Sequence, residues 1–170
     1  MVKKILVFRG GAATGKSTAI RNLAKRKETK EWIIIDHPEF KKWFEGLKDK
    51  RTLQKQALFS LLKELLKTKK NIVLEEMSAA TIRKYIGRHV KKQGYKIITF
   101  QFENKPESSY VRNVQRVKKK DKHHKKILTK KQVAQTHKFH KEKFDPEGIL
   151  INTRKLGKRK VIELILKKSK

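Results

Sequence analysis

Cysteine is absent, which excludes disulfides and thiolate metal sites. With three prolines and eight glycines in 170 residues, a collagen-like or low-complexity chain is excluded as well. The longest apolar runs, such as Ile5 to Phe8, Ile33 to Ile35 and Ile149 to Ile151, fall far short of the ~20 residues needed to cross a bilayer. Met1 to Phe8 is too short for a secretory leader and runs directly into glycines, so a soluble, cytoplasmic protein is expected. Acids are scarce: 16 Asp and Glu stand against 47 Lys and Arg, for a formal net charge of +31. Self-repulsion at such a charge opposes the compact state, so the surplus needs a reason outside the fold. A general lysine bias is one reading. A thermophile surface would enrich Glu together with Lys, and here the acids are too few to pair the bases. A polyanionic partner accounts for the surplus better, because Lys and Arg that neutralise phosphates release counterions, the footprint of a nucleic-acid binder.

The length and an apolar fraction of 36% suit one core, so residues 1–170 are expected to form a single domain. Buried strands are expected at Ile5–Phe8, Trp32–Ile35, Asn71–Leu74, Lys96–Phe102 and Ile149–Ile151, each a short stretch rich in apolar residues. Between them the spacing predicts helices. One starts at Lys16, and another follows Pro38, which suits a first helical turn. A third, over Thr52–Lys69, carries Leu53, Ala57, Leu58, Leu61, Leu62, Leu65 and Leu66 on one face. Further helices are expected over Ala79–Gln93, with Ile82, Tyr85, Ile86, His89 and Val90 on one face and Gly94 closing it, over Pro106–Lys119, and around Val161, Leu164 and Ile165. Alternating strands and helices imply right-handed crossovers, hence an α/β three-layer sandwich on a five-stranded, mainly parallel sheet.

One stretch departs from this pattern. From Val111 to Lys143 there are 13 Lys and Arg, two acids and four of the six histidines. Lys118–Lys126 has almost no apolar residue to give to a core, and Lys130–Lys143 has a thin stripe of Val133, Ala134, His137 and Phe139 or His140. A basic helical lid over about 111–143 is expected. His123, His124, His137 and His140 do not read as a metal site, since the surroundings are strongly cationic and no acid cluster adjoins them.

Gly10-Gly11-Ala12-Ala13-Thr14-Gly15-Lys16-Ser17 satisfies every fixed position of GxxxxGK[ST], between an expected strand and an expected helix. Such a loop turns backbone N–H groups toward phosphates, and the helix N-terminus adds its positive end. Lys16 would reach the β- and γ-phosphates of ATP or another NTP, Ser17 would ligate Mg²⁺, and Thr18 would contact the α-phosphate. Asp36 ends the second strand on the side where ligands of parallel sheets bind; it reads as a general base, and also as a helix cap. Glu75 and Glu76 end the third strand, where one acid would orient Mg²⁺. Neighbours on a strand point opposite ways, and spacing does not choose between them. Arg112 and Arg116, four apart on a helix, share a face and suit a clamp on a migrating phosphoryl group. Trp43, Tyr85 and Tyr110 could stack on bases, though packing is the commoner use of such residues.

These residues carry a resemblance. The loop Gly10–Ser17, Asp36, Glu76 and the run Tyr110-Val111-Arg112-Asn113-Val114-Gln115-Arg116 resemble the phage-type polynucleotide 5′-hydroxyl kinases, P-loop kinases similar to the zeta-toxin and chloramphenicol phosphotransferase groups. The likeness runs from Val2 to about Thr153. It implies that Lys16 and Ser17 hold the ATP phosphates and Mg²⁺, that Asp36 activates a 5′-hydroxyl of RNA or DNA, that Arg112 and Arg116 grip phosphates, and that Glu76 is the third-strand acid. One position departs: where those kinases place an arginine three residues after the aspartate, this chain has Glu39. No phosphatase or ligase domain is expected after the kinase. A small-molecule kinase and a nucleic-acid-stimulated NTPase are the alternatives. A monomer that does not engage membranes, with weak sequence preference and steep salt dependence, is expected of the polynucleotide reading.

Overall fold

A computed structural model describes residues 2–35, 37–75, 77–119, 127–142 and 145–169. Among the described residues the strands are β1 (Lys4–Gly10), β2 (Ile33–Ile35), β3 (Ile72–Glu75), β4 (Lys96–Glu103) and β5 (Ile149–Asn152). The helices are α1 (Lys16–Ala24), α2 (His37–Lys42), α3 (Lys50–Lys67), α4 (Ala79–Lys92), α5 (Pro106–Lys118), α6 (Lys130–Glu142) and α7 (Lys158–Ser169). The strands form one sheet in the order β2-β3-β1-β4-β5, and every pairing is parallel. The expected sandwich is therefore present.

Local signals set the element ends. Ser78 caps α4 by accepting a hydrogen bond from the Thr81 N–H at 3.0 Å, and α4 stops before Gly94, whose φ of 70° lies in the left-handed region. Pro106 opens α5, where its missing N–H costs nothing.

The pleat of β1 divides the interior. Ile5 and Val7 face a cluster with Leu58, Phe59, Leu62 and Leu66 of α3 and Ile82, Ile86 and Val90 of α4. Leu6 and Phe8 face the opposite cluster, with Ala19, Ile20 and Leu23 of α1 and Val161, Ile162 and Ile165 of α7. The stripes of α3 and α4 are narrower than the sequence suggests. Leu53 is exposed, and Tyr85 leaves the core to stack on Phe59 at 4.7 Å. On the α1 and α7 side, Phe8 packs edge-on against Phe100 with ring centroids 5.4 Å apart. Phe100 is fully buried, so Phe100→Ala is expected to lower stability by about 3–5 kcal/mol, read as a fall in urea midpoint at unchanged slope.

The chain leaves β1 on one side to build β2 and β3, then crosses to the other side for β4 and β5. The crevice beyond the carboxyl end of β1 lies between these two directions, where α/β sheets bind ligands. α5 and α6 pack on each other, and α6 abuts the end of β1. No helix among the described residues is long and apolar enough to cross a membrane.

Candidate phosphate-binding site

The loop between β1 and α1 occupies that crevice. Gly10 has a φ of 145°, and a Cβ there would lie 2.3 Å from the Phe102 carbonyl oxygen, so only glycine lets β1 end against β4. Lys16 is buried, and its Nζ donates to the carbonyls of Gly10 at 2.8 Å and Gly11 at 3.1 Å. The ammonium thus sits within the curl of the loop. Thr14 Oγ1 donates to the Gly11 carbonyl at 3.0 Å and braces the turn from inside.

Ser17 lies in the first turn of α1, and its Oγ donates to Glu75 Oε1 at 3.0 Å. The register explains this contact. Glu75 pairs with Phe8, the third residue from the end of β1, so its carboxylate lies beside the start of α1. A hydroxyl and a carboxylate side by side form an oxygen donor set that suits a hard dication. Asp36 and Glu76 lie outside the described residues; Asp36 follows the last residue of β2 in sequence.

Arg112 and Arg116 come to the loop from α5. With Gly15, Thr18, Thr153 and Lys158 they line a cavity of about 420 Å³ beside the start of α1. Arg116 Nη2 donates to Thr18 Oγ1 and Arg112 Nη1 to Thr153 Oγ1, both at 3.4 Å. The expected shared face is present, and it is turned toward the phosphate loop. Thr153, which the sequence does not single out as a site residue, donates from Oγ1 to the Thr14 carbonyl at 2.9 Å. Its signal was its place just past the end of β5, on the ligand side of the sheet.

Helix α6 closes the other flank. The Ala12 N–H donates to Thr136 Oγ1 at 3.1 Å, and the His137 Nε2–H faces the Ala12 carbonyl at 3.3 Å. A Cβ on Gly11 would come within 2.5 Å of the His137 ring, so this glycine permits the approach of the helix. Of the stripe foreseen on α6, Val133 is fully buried, while Phe139 is exposed and His137 serves the loop. His123 and His124 lie outside the described residues.

Burial holds the His137 imidazole below its ordinary value near 6.5; the Ala12 carbonyl opposes this, Lys16 adds to it, and Asn104 and Glu107 oppose it more weakly. A proton binds more readily once α6 has left the loop. The docking contribution is therefore complete above about pH 6.5 and is lost as pH falls toward the lowered value. Exchange of the Ala12 amide hydrogen, corrected for its intrinsic rate, is expected to be faster at about pH 5.5 than at about pH 7.5. His137→Gln should remove most of that difference.

A wholly parallel sheet, with a lysine-bearing glycine loop after its central strand and arginines reaching in from a later helix, defines a P-loop fold of the kinase type. Residues 2–156 match the Zeta toxin family, and the chain belongs to that family. A comparison with curated proteins finds no match. Among solved structures, the fold resembles a chain of the Pnkp1/Rnl/Hen1 RNA repair complex at a TM-score of 0.67 and 18% identity, covering 86% of this chain and 47% of that one. It also resembles Kti12 of Chaetomium thermophilum in complex with ADP-AlF3, at a TM-score of 0.63 and 14% identity, over 98% of this chain and 99% of that one. Deoxyadenosine kinase from M. mycoides, with dCMP and dCDP bound, matches at a TM-score of 0.53 and 16% identity over 97% of each chain. At these identities the likeness is one of fold. Fold and family together support a phosphotransferase.

Proposed function

We propose that the protein transfers the γ-phosphate of ATP, or of another NTP, to the 5′-hydroxyl of RNA or DNA. The observation that carries the reading is the buried Lys16 inside a glycine loop, with Ser17 joined to the strand-end Glu75 on one side and the Arg112–Arg116 cavity on the other. The net charge of +31 favours a polyanionic acceptor over a neutral metabolite. Gly10, Gly11, Ala12, Ala13, Thr14 and Gly15 supply the backbone of the donor site. Lys16 holds the β- and γ-phosphates, and Thr18 adjoins the α-phosphate. Asp36 takes the acceptor hydroxyl's proton, the hydroxyl oxygen forms its bond to the γ-phosphorus, and the bond to the departing ADP oxygen breaks. Arg112 and Arg116 stabilise the charge that spreads over the transferred group.

Ser17 and Glu75 are the described residues that would hold Mg²⁺, with Glu76 the acid the resemblance favours. The ion, when bound, neutralises phosphate charge. Its removal by a chelator is expected to abolish transfer. Residues 1–170 act in this reading as one kinase unit, with the lid of about 111–143 closing on the donor side.

A second reading, a small-molecule kinase, draws on the family itself and on Glu39. That carboxylate forms an ion pair with Lys42 at 2.7 Å at the position where the polynucleotide kinases have a phosphate-gripping arginine. The deciding experiment offers γ-labelled ATP and Mg²⁺ to matched RNA and DNA oligonucleotides with 5′-hydroxyl ends, beside an Asp36→Ala control. Label on the 5′ end that vanishes in the control supports the first reading. Consumption of ATP without label on either oligonucleotide overturns it in favour of a small acceptor.

A further inference from the structure

A second concavity, of about 520 Å³, lies between α2 and α3, outside the donor site. Its floor is apolar, built on the buried Phe40 and Leu58. Its walls carry Lys41, Lys50, Arg51 and Lys55 and, among the described residues, the single acid Glu45. Lys50 and Arg51 open α3, where the helix dipole disfavours cations and where no acid stands in the first turn. Positive charge at that helix start opposes the dipole, and an anion in the groove would offset it.

The aromatic residues around the groove point the same way. Trp43 follows α2 and is 73% exposed, although its ring lies 5.4 Å from that of Phe40 on the groove floor. The sequence favoured packing for this tryptophan, and the structure leaves most of it in solvent. On the other wall, the Lys55 ammonium lies 3.9 Å from the centre of the Tyr85 ring, which is also exposed. Met77 lines the groove two residues after Glu75, and α2 begins two residues after the end of β2. The groove therefore lies near the strand ends that the kinase reading makes catalytic. A row of cations beside an open aromatic face, here that of Trp43, is a means by which proteins bind single strands without reading sequence.

We infer that this groove seats the acceptor strand: the nucleotides that follow its 5′ end place their phosphates on Lys41, Lys50, Arg51 and Lys55 and one base on Trp43. The inference rests on the polynucleotide reading and locates the acceptor within it. Because α3 and α7 lie on opposite faces of the sheet, charge in the groove can be separated from charge in general.

The test reads binding and transfer side by side. In a Trp32→Phe background Trp43 is the remaining tryptophan, and a 5′-hydroxyl strand of about eight nucleotides, within the usual span of a single-strand site, is expected to quench its emission saturably. A groove variant combining Lys50→Ala, Arg51→Ala and Lys55→Ala should raise Kd at least about tenfold and make the salt slope shallower by about 2. A control variant combining Lys160→Ala, Lys167→Ala and Lys168→Ala removes the same charge from α7 and should change Kd less than about threefold. Trp43→Ala should weaken binding about tenfold, and should leave the affinity for an abasic strand of the same length unchanged. Equal losses in the groove and control variants, or a Trp43 emission that the strand does not alter, would overturn the groove. Phosphate transfer to the same strand separates this inference from the reading beneath it. Binding in the groove without any transfer would overturn the kinase reading and keep the groove. Transfer with the same KM in wild type and groove variant would overturn the groove and keep the kinase.

Discussion

Lys16→Met is expected to lower phosphate transfer by about a thousandfold or more, the scale on which a fixed charge at a reacting phosphate acts once its site excludes water. The ammonium is buried and held by the carbonyls of Gly10 and Gly11, so its position is set before any nucleotide arrives. Methionine keeps most of the volume and loses the charge. It also removes one donor from each of two loop carbonyls, of which that of Gly11 keeps the Thr14 hydroxyl, so a modest fall in melting temperature should accompany the loss of turnover. Single-turnover rates at saturating ATP, beside a thermal melt, separate the two effects. Transfer within about tenfold of wild type would mean that Lys16 does not serve the phosphates.

Glu75→Gln is expected to reduce transfer by about a hundredfold or more and to raise the Mg²⁺ concentration needed for half-maximal rate. Its carboxylate accepts a hydrogen bond from Ser17 Oγ at the mouth of the loop. The amide keeps the shape and a hydrogen-bonding oxygen but removes the negative charge on which a dication depends. Glu76→Gln, measured in parallel, decides between the two acids: the larger shift in Mg²⁺ dependence marks the residue that serves the metal. A larger shift at Glu76 would leave Glu75 a structural partner of Ser17.

Much of the fold was legible because its signals are local. Short stretches rich in apolar residues mark β1 to β5, and Pro106, Ser78 and Gly94 mark helix ends through the conformations they favour. The phosphate loop was equally plain, since Gly10 to Ser17 is one continuous segment whose spacing carries its own geometry. Arg112 and Arg116 could be paired from helical periodicity, although their approach to Thr18 and Thr153 could not.

What sequence spacing left open depends on residues far apart in the chain. Ser17 meets Glu75 across 58 positions because β1 and β3 are neighbours in a register that sets Phe8 against Glu75. Thr136 and His137 reach Ala12 because α6 folds back over the end of β1, and a thin apolar stripe says little about where such a helix docks. Trp43 looked like packing, yet a short α2 ending beside α3 leaves its ring in solvent. By itself the sequence determined the strand and helix succession, the phosphate loop and the cationic character, all properties of contiguous residues or of bulk composition. The tertiary structure decided which distant side chains share a site, because strand order, register and helix docking arise from packing of the whole chain.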